Sequence, residues 1–156
     1  MKNNHNIISY DGCWDAIKVL DEDPMNADNV ILLYSRRSER KNTSGVSTGW
    51  NREHVWPKSY GVGYSGPDFS DLHHLFPADW NVNSARGNKL LGNCEDSECQ
   101  SPAHVEASND TATNSILFTP PESVRGDLAR AIMYMALRYD GATRDTKTAN
   151  LETKSI

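Results

Sequence analysis

The sequence predicts an α+β domain, and three observations carry that reading. Val124, Leu128, Ala131, Ile132, Met135 and the run Leu137–Tyr139 recur at the 3.6-residue spacing of an amphipathic helix. Val30-Ile31-Leu32-Leu33-Tyr34 is a strand-sized aliphatic cluster, too short to cross a membrane. The middle of the chain reads in the order strand, loop, strand, helix.

Residues 12–20, with Trp14, Ile17, Val19 and Leu20, predict a short helix ended by Asp21-Glu22-Asp23-Pro24. Asn29 to Ser35 reads as a buried strand. Residues 38–48 are polar and contain Asn42-Thr43-Ser44-Gly45, which predicts a loop. Gly49 to Trp56 is expected to be extended, because the residue before Pro57 is pushed to the β region. Tyr60 to Ser70 holds Gly61, Gly63, Gly66 and Pro67 and is too rich in turn formers for a regular element. A second strand is expected from Leu72 to Phe76. A helix starting near Ala78 or Asp79 then carries Asn83, Arg86 and Lys89 along one side. Gly87 falls inside it, at a cost of about 1 kcal/mol relative to alanine. Residues 94–114 read as a surface excursion. Ile116-Leu117-Phe118 enters Pro120-Pro121, and the last helix opens at Pro121 or Glu122 and runs to about Arg138. The polar tail after Gly141 reads as frayed.

At 156 residues the chain is expected to be one domain, residues 1–156, with a core of ordinary size. Hydrophobic residues at 37% and charged residues at 24% exclude a disordered chain. The start, Met1-Lys2-Asn3-Asn4-His5-Asn6, lacks the apolar segment of a signal peptide. Net charge is -5, which opposes nucleic-acid binding, since counterion release rewards a cationic surface. Distribution matters more than the total. Residues 1–35 carry two lysines against six acids, and residues 94–114 carry five acids with no lysine or arginine. Residues 49–93 balance four against four.

The cysteine count is odd. Cys94 and Cys99 enclose four residues, a loop that a disulfide closes without long-range geometry. Zinc on Cys94, Cys99 and His104 is the competing reading, with an incomplete ligand set and unusual spacing. Cys13 remains over and reads as a buried thiol beside Trp14. A disulfide favours an oxidising compartment.

The chemistry-bearing segments are Trp50-Asn51-Arg52-Glu53-His54-Val55-Trp56-Pro57, Asp71-Leu72-His73-His74-Leu75 and Asn83-Ser84-Ala85-Arg86-Gly87-Asn88. Metal-assisted phosphodiester cleavage needs these chemical types: oxygen ligands for a hard cation, a base titrating near neutral pH, and guanidinium forks for phosphate. A lone histidine is more often a packed side chain. Local chemistry alone leaves that reading in place for His54.

Together the three segments resemble the endonuclease I family, non-specific nucleases of the His-Me finger (ββα-metal) class, from roughly Trp14 to Tyr139. The resemblance implies a ββα-metal core with additional helices and a metal-dependent, sequence-non-specific endonuclease. Its substrate is DNA, with RNA left open, and its products carry 5′-phosphate and 3′-hydroxyl ends. It implies His54 as general base and Glu53 and Asn83 as ligands of Mg2+, for which Mn2+ or Ca2+ are candidate substitutes. Successive strand residues face opposite ways, so Glu53 and His54 share a site only if the strand ends or bulges there.

Arg52, Lys58, Arg86 and Arg130 are candidates for phosphate contact; a structural ion pair is the alternative for Arg86 and for Arg130, the latter with Asp127. Asp71, His73 and Asn88 are expected to be structural residues near the site. A zinc triad of His54, His73 and His74 is disfavoured, because neighbouring strand histidines diverge. This chain departs from the family in three ways: His74 stands where asparagine is usual, Tyr60–Ser70 has no arginine, and the C-terminus is short. A binding module without turnover and a zinc phosphoesterase of small substrates are the competing classes. A nuclease that ignores sequence must be kept from its own cell's nucleic acid. With the expected disulfide, that predicts a secreted or periplasmic monomer whose leader is absent here, with no membrane association.

Overall fold

The computed structural model describes residues 6–139, so the tail read as frayed after Gly141 lies outside the described residues. The first predicted helix is present as α1, Gly12–Leu20. Cys13 and Ile17, four residues apart, form its buried face, while Val19 and Leu20 are exposed. The Cys13 thiol is free and buried, as the sequence predicts.

Strands β1 (Glu22–Asp23), β2 (Asn26–Ile31) and β3 (Ser38–Arg40) form one antiparallel sheet in the order β1-β2-β3. This corrects two expectations. The strand expected over Asn29–Ser35 starts earlier and stops at Ile31, because the chain reverses on itself just beyond. Arg36 N–H donates to the Leu32 carbonyl at 3.0 Å, and Leu32 N–H to that of Arg37 at 2.9 Å. Arg36 takes φ 58° in that turn. Leu33 and Tyr34 are therefore buried from a turn. Ser38–Arg40, expected to be loop, pairs with β2 as a short polar edge strand.

Strands β4 (Trp50–His54) and β5 (Leu75–Asp79) form a second, two-stranded antiparallel sheet, with His54 opposite Leu75 and Trp50 opposite Asp79. β5 begins three residues later than Leu72. The reason is local: Asp71 Oδ1 accepts the His73 N–H at 2.9 Å, an Asx turn that keeps residues 71–74 out of the ladder. Helix α2 (Trp80–Arg86) follows β5 directly. Gly87 terminates it rather than sitting inside, with φ 57° and its N–H on the Asn83 carbonyl at 2.9 Å. Lys89 therefore lies beyond the helix.

Strand alternation sorts β4 into two faces. Trp50 joins Cys13, Ile17, Val30, Leu32 and Leu75 in a core beneath α1. The opposite face packs toward α2, where Val82 shares a second core with Ala78, Phe118, Leu128 and Ala131. A third sheet, β6 (Leu90–Leu91), β7 (Ala112–Thr113) and β8 (Leu117–Thr119), runs in the order β6-β8-β7. The segment 94–114 is not wholly a surface excursion, since Ala103, Ala107 and Thr111 are buried. Cys94 and Cys99 are joined by a disulfide, which removes them as zinc ligands. After a 3-10 turn at Glu122–Val124, helix α3 (Arg125–Arg138) buries Leu128, Ala131 and Met135, as the repeat predicts.

Asp71 ties the long β4–β5 connection to α3. Its Oδ2 accepts hydroxyls from Tyr134 at 2.9 Å and Tyr139 at 2.7 Å. Burial raises this carboxyl, but bonds from the His73 backbone, Tyr139, the His73 ring and Tyr134 outweigh it and hold the pKa below 3.8. A depressed carboxyl stabilises the fold above its unfolded pKa and loses that contribution as pH falls through the folded one. Asp71→Asn is therefore expected to lose about 1.5–3 kcal/mol at pH 7 in urea unfolding. The deficit against wild type should shrink only at pH values below 3.8.

Candidate active site

A cleft of about 540 Å³ lies along β4, and Asn51, Arg52, Glu53 and His54 all line it. The strand ends at His54, one of the two conditions the sequence reading set, and its pairing with β5 shows no bulge. Four consecutive residues reach one cleft because it straddles the edge of β4 that β5 leaves open. Arg52 and His54 come from the α1 face, and Asn51 and Glu53 from the α2 face.

Glu53 is 2% exposed. Its Oε1 accepts the Tyr34 hydroxyl at 2.7 Å and faces Arg86 Nη1 at 2.9 Å. Burial raises the Glu53 carboxyl, while Arg86 and Tyr34 pull it back. For Arg86 the sequence left substrate contact and a structural ion pair open, and its placement favours the pair. It is 2% exposed and bonds to Glu53 and to the carbonyls of His54 at 3.0 Å and Val55 at 2.8 Å. An arginine so committed holds the end of β4 against α2 and offers no fork to the cleft.

His54 is buried, and its Nε2 lies 3.0 Å from the Phe69 carbonyl. A carbonyl can only accept, so Nε2 carries the proton and Nδ1 is left as the acceptor. Burial, reinforced by His74, pushes the ring down to about 3, so it is neutral across the neutral range. Phe69 stacks on it at 5.2 Å, with Tyr10 at 5.7 Å. His74, the departure from the family, packs edge-on at 5.3 Å and donates Nε2–H to the Asp68 carbonyl at 2.8 Å. His73 instead is exposed and stacks on Tyr134 at 4.1 Å. The three histidines do not converge, which removes the zinc triad.

Asn83 lines the cleft from α2. Its Nδ2 donates to Asn51 Oδ1 at 2.6 Å, which orients the amide and leaves Oδ1 as the donor atom for a cation. Glu53 and Asn83 thus bring a carboxylate and a neutral oxygen to one cleft, a sparse hard-oxygen set. A divalent cation that keeps several waters fits such a set.

Of the other candidates, Lys58 and Asn88 line the cleft. Lys58 Nζ lies 4.9 Å from the Tyr64 ring, and Asn88 Nδ2 is 3.4 Å from Ser59 Oγ. Arg52 lies between Tyr10 and Trp14, 3.3 and 4.0 Å from their ring centroids. Arg130 is exposed, pairs with Asp127 and does not line the cleft. Asp71 and His73 are structural, but at the α3 clasp and outside the cleft lining. Sequence reasoning missed Tyr34, Asn51 and Phe69. A tyrosine ending a buried aliphatic run needs a hydroxyl partner, which was the available signal for Tyr34. Phe69 acts through its carbonyl, which no residue type announces.

This chain belongs to the endonuclease I family, which it matches over residues 1–155. It is 44% identical over 141 residues to the extracellular ribonuclease of Bacillus subtilis (strain 168). With the extracellular ribonuclease of Bacillus amyloliquefaciens it shares 43% over 141 residues. Each match covers 89% of this chain and 46% of the relative, so the chain spans about half the length of these curated relatives.

The Glu53–Arg86 pair should show itself in stability. Arg86→Leu leaves a buried carboxylate without its cation, so a loss of about 3–5 kcal/mol is expected in chemical unfolding at pH 7. A loss below 1 kcal/mol would mean that the pair does not hold β4 to α2. For His54, nitrogen-resolved NMR should find the Nε2–H tautomer, with the ring still neutral at pH 5.

Proposed function

We propose that this chain is a metal-dependent endonuclease that hydrolyses phosphodiester bonds without regard to sequence, with β4, β5 and α2 as its ββα-metal unit. The observation that carries the reading is the fixed tautomer of His54. An imidazole with Nε2–H tied to Phe69 keeps its Nδ1 lone pair in the same cleft as Glu53 and Asn83. In the proposed reaction Nδ1 takes a proton from water as the water oxygen bonds to phosphorus. The P–O3′ bond breaks, giving a 5′-phosphate and a 3′-hydroxyl that takes its proton from solvent. Substrate phosphate beside the ring favours imidazolium and raises its basicity in the complex.

Glu53 and Asn83 would hold the cation, Mg2+ by the character of the ligand set. It supplies positive charge where the phosphoryl and leaving oxygens become more negative. Tyr34 and Arg86 position Glu53, and Asn51 positions Asn83. Both relatives are named ribonucleases, which supports RNA as a substrate beside DNA. Their names also support an extracellular site of action, in keeping with the Cys94–Cys99 disulfide.

Plasmid and RNA cleavage with Mg2+, abolished by EDTA, is the first test. His54→Ala should lower the cleavage rate by about 10²–10⁴ and stay inactive at any Mg2+ concentration. Glu53→Ala or Asn83→Ala should recover in part as Mg2+ is raised, because mass action offsets a lost ligand. Added cation cannot replace a proton acceptor. Parallel titration of all three variants, with unchanged midpoints, would refute these roles.

A further inference from the structure

Two cations line the cleft from the strand and the turn after it, Arg52 and Lys58. Arg52 differs in kind from the chain's paired arginines. Arg37, Arg86 and Arg130 each meet a carboxylate, whereas Arg52 makes no ion pair among the described residues. It is nonetheless held firmly. The Tyr10 and Trp14 rings lie against its guanidinium, and Nη1 donates to the Tyr10 carbonyl. Trp14 is braced edge-on by Trp50, with centroids 5.4 Å apart. Nε is buried without an acceptor in the protein.

Rings that cover the faces of a guanidinium leave its in-plane N–H edge as the only direction for strong hydrogen bonds. That edge suits two oxygens of one phosphate. The cation also sits one residue from Glu53 and on the same face of β4 as His54. We propose that Arg52, held between Tyr10 and Trp14, seats a phosphodiester of the substrate strand beside the one under attack. Helix α1 thereby becomes part of the substrate-binding surface. The inference rests on the nuclease reading and adds to it a binding group for a polyanionic strand.

The test is binding without turnover. Fluorescence anisotropy follows a short labelled single-stranded DNA against the full chain in EDTA, over a series of salt concentrations. Arg52→Met is expected to weaken binding on the order of tenfold. It should also reduce the slope of log affinity against log salt by about 0.7, the share of one phosphate contact on a single strand. Arg52→Lys keeps the charge, so its slope should match wild type while its affinity falls. Tyr10→Leu and Trp14→Leu should weaken binding at unchanged slope.

Wild-type affinity and slope in Arg52→Met overturn the subsite and leave the nuclease reading standing. Wild-type affinity in Arg52→Lys overturns the fork geometry even if Arg52→Met does not fold. No binding of the DNA by the wild-type chain overturns the subsite, while the nuclease reading is decided separately by Mg2+-dependent cleavage.

Discussion

The buried ion pair between Glu53 and Arg86 is the constraint on which the rest of the cleft depends. Two charges of 2–3% exposure are removed from water together, which on its own is no source of stability. What the pair provides is placement. Arg86 ends α2, Glu53 nears the end of β4, and the same guanidinium holds the carbonyls of His54 and Val55. The catalytic candidate, the ligand candidate and the helix that carries Asn83 are thereby fixed to one planar group. Lysine could not do this, because it lacks the rigid fork that reaches several acceptors at once.

An acidic chain can present a cleft that suits an anion because its acids near the site are engaged. Glu53 faces Arg86, Asp71 takes two tyrosine hydroxyls, and Asp79 pairs with Arg37 at 2.5 Å. Arg52 and Lys58 meet aromatic rings and have no carboxylate partner among the described residues. Net charge of -5 therefore describes the molecule and not the local field in the cleft.

Elements with a strong period or a hard stop were legible in the sequence. The last helix followed from its 3.6-residue repeat, and α1 from its breaker run at Asp21–Pro24. Where side chains rewrote the backbone, the reading slipped: Asp71 capped its own turn and delayed β5, and Gly87 ended a helix it was expected to interrupt. The cleft placements of Glu53, His54 and Asn83 accord with their motif. Arg86 stayed open between phosphate contact and a structural pair, because residue type cannot distinguish a cation aimed at solvent from one buried against a carboxylate. The supporting atoms, Phe69 O and Asn51 Oδ1, were hidden for a related reason. Their role is geometric and exists only once distant segments meet.

A site laid across a strand edge is built as two sets of side chains on one shared backbone. Arg52 and His54 lean on α1 and the long connection; Asn51 and Glu53 lean on α2. The two halves meet through the backbone: Arg86, paired with Glu53, also holds the His54 carbonyl at 3.0 Å, and Asn83 reaches the Arg52 carbonyl at 3.5 Å. Backbone carbonyls survive a change of side chain, so side-chain substitutions in the two halves should add in their cost to folding, except where Arg86 or Asn83 is itself changed. Such a layout lets strand grip drift from one descendant to the next without loosening the cation pocket, and the reverse.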